Sequence, residues 1–209
     1  MNNSKKAIQI KIYTFTILTL VSLCISAQTI TQTIMDVARS KSITWYGMDF
    51  SKAKFIGFGT QITSDMIKDD YITLWTNNIS TLDFSSKYNI PEVKIEMSPS
   101  LKHNSGIDKN TLLTNNYYEL STETIKNIIA DYDISGNSYG FVYIVESFEK
   151  STEKVYIYVC YFNEKDKSII SMRRYIGKAS GIGFENHFEG AIKDIIKYSS
   201  KDFKRYSKH

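Results

Sequence analysis

Hydrophobic and polar positions alternate most regularly between Tyr139 and Ala179. Three runs rich in Val, Ile, Tyr and Phe follow one another there, Y-G-F-V-Y-I-V-E-S-F-E-K, K-V-Y-I-Y-V-C-Y-F-N and S-I-I-S-M-R-R-Y-I-G-K-A. β-Branched and aromatic side chains lose χ1 freedom in a helix but fit a pleated surface. The polar linkers Ser151–Glu153 and Glu164–Lys167 are too short for a parallel crossover, so the pattern predicts a three-strand antiparallel meander. In its middle strand Val155, Ile157, Val159 and Tyr161 form an aliphatic, core-facing row. Tyr156, Tyr158, Cys160 and Phe162 form a second, tyrosine-rich row, suited to a face partly covered and partly wet. A strand apolar on both faces belongs in the middle of a sheet.

A three-and-four spacing marks the helices. Met66, Ile67, Tyr71, Leu74, Trp75, Ile79 and Leu82 predict a helix over 65–82, capped by Thr63 or Ser64. Ile125, Ile128 and Ile129 predict another over 122–132, capped by Ser121. Phe184, Phe188, Ala191, Ile192 and Ile195 predict a third over 184–203, whose lysine-rich end suits the negative end of the helix dipole. Gly190 lies inside it, a cost of about 1 kcal/mol against Ala that a close crossing over the sheet would explain.

Upstream, two short extended pieces are expected at Thr44–Tyr46 and Lys54–Phe58, with Trp45 and Tyr46 as core anchors. The stretch Tyr88–Thr114 holds Pro91, Pro99 and the turn-forming His103-Asn104-Ser105-Gly106, and reads as a surface loop with one short extended edge segment at Val93–Met97. Long loops of this kind are often functional. Neighbouring strands with helices grouped around them predict an α+β fold: a mostly antiparallel sheet, made of the C-terminal three-strand meander plus one or two N-terminal strands, packed by about three helices.

The N-terminus reads as an address, not as structure. Lys5, Lys6 and Lys11 precede an apolar run over 12–25, and Ile25-Ser26-Ala27 supplies a small-residue stop before Gln28. The run is short for a membrane span. The organisation expected is a signal peptide over 1–27, a leader or short helix over 28–42, and a single domain over 43–209, exported to the periplasm or secreted. Lipid anchoring through Cys24 ranks lower, because Leu23 before it is not small.

Export changes the charge argument. Residues 1–27 carry three lysines and no acid, so a formal net charge of +4 falls to about +1 in the mature chain. That argues against nucleic acid or an anionic membrane as partner. Only Cys160 remains after cleavage, so no internal disulfide forms, and its mid-strand position makes it a buried, inert thiol.

Candidate chemistry is sparse. His103, His187 and His209 have no metal-ligand spacing, and no zinc, Cys-x-x-Cys or nucleophile-elbow motif occurs, so neither a metal nor a cofactor nor a catalytic set is expected. Gly177, Gly181 and Gly183 precede a helix start, where backbone N–H groups attract anions. A strand-to-helix turn needing positive φ explains them more simply. Glu185, His187 and Glu189 do not converge, since His187 is rotated about 200° from Glu185 on a helix. Arg173 and Arg174 point to opposite sheet faces, and the one facing the covered side needs an acid, for which Glu146 is the candidate.

The stretches W-Y-G-M-D-F-S-K-A-K-F-I-G and G-K-A-S-G-I-G-F-E-N-H-F-E-G-A-I resemble the opening and closing segments of small exported envelope proteins of Gram-negative bacteria. The resemblance implies an exported α+β domain and brings no catalytic residue. The reading that follows is a non-enzymatic envelope domain that binds a protein or another surface component, with the tyrosine face (Tyr156, Tyr158) and the Pro-broken loop as contact surfaces. The alternative is a small-molecule or anion-binding domain, or a hydrolase, with a pocket near Gly177, Gly181, Gly183 and His187.

Overall fold

The computed structural model describes residues 33–60 and 62–207. The signal peptide, Cys24 and His209 lie outside the described residues. After a helical stretch at 33–38, seven strands run in chain order: β1 (Ser42–Asp49), β2 (Lys54–Ile56), β3 (Glu92–Ile95), β4 (Leu113–Thr114), β5 (Tyr139–Glu149), β6 (Lys154–Asn163) and β7 (Ile169–Lys178). The α-helices are α1 (Ile72–Ser80), α2 (Phe84–Tyr88), α3 (Ser98–Ser105), α4 (Thr122–Ala130) and α5 (Phe184–Tyr206).

The hub is β5, the longest strand and apolar nearly throughout. One of its edges pairs antiparallel with β6, which pairs antiparallel with β7, so the meander forms as its short polar linkers predict. The other edge corrects the predicted fold class. There β1 pairs parallel with the first half of β5, and β2 pairs parallel with its end. β3 and β4 then add outside β1 and β2, again parallel. The result is an α/β fold with a largely parallel set, β3-β1-β5-β2-β4, extended by β6 and β7. A parallel partner needs a long crossover. Here the connections are the helical stretches between β2 and β3 and between β4 and β5, tens of residues long. Reasoning from sequence neighbours does not see such pairings.

Three further corrections concern helices. The predicted 65–82 helix starts as a wider π turn at Met66–Tyr71, where Ile72 N–H reaches Ile67 O, before α1 proper. Thr63 Oγ1 accepts from Met66 N, as a cap there should. The stretch expected to be a loop contains α3, and Pro99 opens that helix instead of breaking it, since a first-turn Pro gives up no bonded N–H. Finally, Gly190 is required by the turn beneath it, not by the sheet. A Cβ there would fall 2.3 Å from Ser180 O.

Side chains close the sheet from two sides. The first face holds the main core, including Trp45, Phe141, Tyr143, Val145, Val155, Ile157 and Val159, against residues of α1, α2 and α5. It is dense in rings. Phe148 stacks on Phe55 at 4.6 Å and on Trp75 at 4.9 Å, and Phe188 closes from α5 at 5.5 Å. The second face carries a smaller cluster, with Val142, Ile144, Cys160 and Phe162 against Ile125, Ile128 and Ile129 of α4. Ser121 Oγ accepts from Thr124 N and caps α4, matching the expectation. Cys160 is buried, and burial pushes its thiol far above the ordinary range, so it is inert.

Candidate functional site

The residues singled out in the sequence divide between the two faces. Gly177, Gly181, Gly183 and His187 gather where β7 turns into α5. Gly177 lets α5 cross β7 closely, since a Cβ there would lie 2.0 Å from Ala191 O. Gly181 and Gly183 have φ of 124° and 82°, the region a strand-to-helix turn uses and side chains avoid. His187 sits in the first turn of α5, its Nδ1 3.3 Å from Gly181 O and its Nε2 3.6 Å from Glu153. Glu189 points elsewhere, bonding Asn78 and Lys193. Three clefts of the described residues all lie away from this turn.

Tyr156 and Tyr158 lie on the second face, opposite in register to Ile176 and Arg174 of β7. α4 covers the β1–β5 part of that face, and cover thins toward β7. Both tyrosines are half-buried, while Ile176 is 48% exposed and Tyr117, on the segment before α4, is 77% exposed. The Arg174 guanidinium lies 4.2 Å from the Tyr156 ring centroid, a cation–π geometry. The same guanidinium donates through Nε to Glu146 Oε1 at 3.0 Å, so of the two arginines it is Arg174 that takes the acid the sequence offers. Glu146 is fully buried, and its Oε2 accepts from Leu120 N at 3.0 Å. One buried carboxylate thus ties β5 to β7 and to the segment carrying Tyr117. Arg173, on the first face, pairs instead with Asp202 of α5 at 2.8 Å.

A second constellation on this face went unread in the sequence. Asp49, at the end of β1, is fully buried. Its Oδ2 accepts from Tyr132 Oη at 2.9 Å and from His103 Nδ1 at 2.9 Å, and its Oδ1 accepts from Ser51 N at 2.9 Å. The sequence puts His103 in a loop; it is in fact on the last turn of α3. Next to it Asn104 accepts from Phe50 N at 2.7 Å and donates to Met48 O at 2.9 Å, which locks α3 onto the end of β1. The hydrogen bond to Asp49 raises the His103 pKa, and partial burial works against it. Burial first, and then the Asp49 charge, push the Tyr132 hydroxyl well above its ordinary range, so it stays a donor. His103 lines a cleft of about 610 Å³ between α3, α4 and the β1–β2 connection.

The signal that could have found this group was weak. Asp49 follows a run of apolar strand positions, and a carboxylate that ends such a strand without an exposed face must find donors. Nothing in the spacing of 49, 103 and 132 names them. Among the described residues no group of three or more His, Cys, Asp or Glu is placed to hold a metal, and no helix is long and apolar enough to cross a membrane.

No protein-family model matches the chain, and no curated protein matches it. Among solved structures it is similar to the C-terminal domain of LpoB from Salmonella enterica, with 8% identity over 72% of this chain and 94% of that one. The TM-score is 0.30, a distant structural likeness that carries no argument about function.

Proposed function

We propose that the chain is an exported, non-enzymatic binding domain of the bacterial envelope, and that it docks a protein partner on the open part of its second face. The observation that carries this is the surface formed by Tyr156, Tyr158, Arg174 and Ile176, with Tyr117 beside it, at the edge of the sheet. Tyr and Arg are the residue types that interfaces concentrate. Ile176 is 48% exposed and Tyr117 77% exposed, so the surface offers large side chains to a broad protein contact. Arg174 is held in place by Glu146 before any partner arrives, which lowers the ordering cost of binding. Export rests on the charged start, apolar run and small-residue stop of residues 1–27.

The test compares capture from envelope extract by the wild-type chain, by Tyr156→Ser/Ile176→Asp, and by Tyr198→Asp on the outer side of α5. A species retained by wild type and Tyr198→Asp but lost with the double variant is the expected result. Equal capture by all three, or loss with Tyr198→Asp alone, contradicts the assignment. N-terminal sequencing of the chain from an envelope fraction should begin at Gln28.

A further inference from the structure

The cleft beside His103 lies outside the proposed docking surface, and its chemistry is different. Asp49 accepts a hydrogen bond from His103 Nδ1–H, which fixes the ring. Nε2 has no hydrogen-bond partner among the described residues, and the ring lines the cleft. Lys102 on α3 and Lys52 on the β1–β2 connection line it too, both exposed, and neither side chain has an ion-pair or hydrogen-bond partner among the described residues. Ser51 also lines it, and its Oγ is buried without a partner. A buried hydroxyl left so is a standing cost that a ligand oxygen would relieve. Three donors, the two lysines and Ser51 Oγ, therefore surround one space large enough for a small molecule, and His103 Nε2 becomes a fourth when its ring is protonated. A single carboxylate, Asp131 at the end of α4, lines the same cleft.

We propose that this cleft binds a small oxyanion, a phosphate or carboxylate group, through His103 Nε2, Lys52, Lys102 and Ser51 Oγ. Nε2 donates to the anion only when the imidazole is protonated, because a neutral ring with its proton on Nδ1 leaves Nε2 an acceptor. Asp49 from β1 and Asp131 after α4 favour that form, while Lys102 and partial burial oppose it. Tyr132 faces the ring edge-on at 5.0 Å and remains neutral. An anion in the cleft adds to the favouring side, so binding and protonation of His103 promote each other.

The imidazole signals of His103 in the purified chain, followed by NMR during titration with inorganic phosphate and separately with acetate, read this directly. A saturable shift with at least one anion is expected, together with a rise in the His103 pKa at saturation. Lys52→Gln/Lys102→Gln changes only exposed side chains and should fold as wild type. It should weaken binding about tenfold or more, on the scale of lost charge-assisted contacts. A response to phosphate alone assigns a phosphate group, to acetate alone a carboxylate, and to both a general oxyanion site. No saturable shift with either anion, or a shift undiminished in the double lysine variant, overturns the proposal.

Discussion

On the side under α1, α2 and α5, the strands present Phe141, Tyr143, Val145, Phe148, Ile157 and Val159, and rings from Phe55, Trp75 and Phe188 complete the seal. On the side under α4, the strands present Val142, Ile144 and Cys160, but also the fully buried carboxylates Asp49 and Glu146, while Glu164 is 4% exposed after β6. Each of these carboxylates is matched to donors: Asp49 to His103, Tyr132 and Ser51, Glu146 to Arg174 and Leu120, Glu164 to Tyr46 and Ser138. The first side is stabilised by removing apolar surface from water, which is non-directional. The second spends part of its burial on directional contacts that set where particular side chains stand. A buried ion pair adds little net stability over a hydrocarbon of the same shape, so its placement is better explained by position than by energy. The first side also has directional contacts, among the Tyr88, Tyr143 and Ser199 hydroxyls and from Asn78 to Glu189, but the two fully buried carboxylates, Asp49 and Glu146, both lie on the second.

The largest effects are expected in the aromatic core of the first side. Phe148→Ala opens a void between Phe55, Trp75 and Phe188 and should cost about 3–5 kcal/mol in denaturant unfolding. A loss below about 1 kcal/mol would mean that the first side is not the main source of stability. Arg174→Ala strands the Glu146 carboxylate. It should cost about 2 kcal/mol, discounted from the about 3–5 kcal/mol of a fully buried pair because Arg174 is 30% exposed. Glu146→Leu/Arg174→Met should recover part of that loss, and a double variant worse than Arg174→Ala would show the pair to be a net stabiliser.

Gly177→Ala sharpens the contrast at the crossing of α5 over β7. The added methyl meets the backbone of Ala191, which cannot move alone, so a loss of about 1–3 kcal/mol is expected, with no change in partner capture. The pH dependence of His103 comes next. Its folded pKa is raised, so the stability it contributes is fully present below an unfolded pKa of about 6.5 and fades as pH rises through the folded value. The difference in unfolding free energy between wild type and His103→Gln should shrink upward from there; a difference that stays flat from mildly acid to alkaline pH would remove the Asp49 pair as its source. The smallest effect belongs to Ile176→Asp, within about 0.5 kcal/mol on stability, because the residue is an exposed edge position.

Much of this architecture is legible in the chain. Period-two alternation finds the meander and assigns Val155, Ile157, Val159 and Tyr161 to the core, because a strand's faces are fixed by local geometry. Ser121 and Thr63 mark helix starts for an equally local reason. The parallel pairing of β1 and β2 with β5 is not legible, since partners about ninety residues apart leave no mark in either segment. Pro99 is misread because one residue type both ends helices and begins them. The candidate sites follow the same division. Strand alternation sends Arg173 and Arg174 to opposite faces and offers Glu146 as an acid, but the folded sheet decides that Arg174 takes it. Asp49, His103 and Tyr132 come from three distant elements, and only the folded chain brings them together.

Partner binding at the open second face is the central proposal. A photo-crosslinking residue placed at position 176, and in parallel at position 198 on α5, tests it in living cells. Crosslinking of one discrete protein from position 176 and none from position 198 is the predicted result. Adducts from 198 alone, or the same adducts from both, would contradict it.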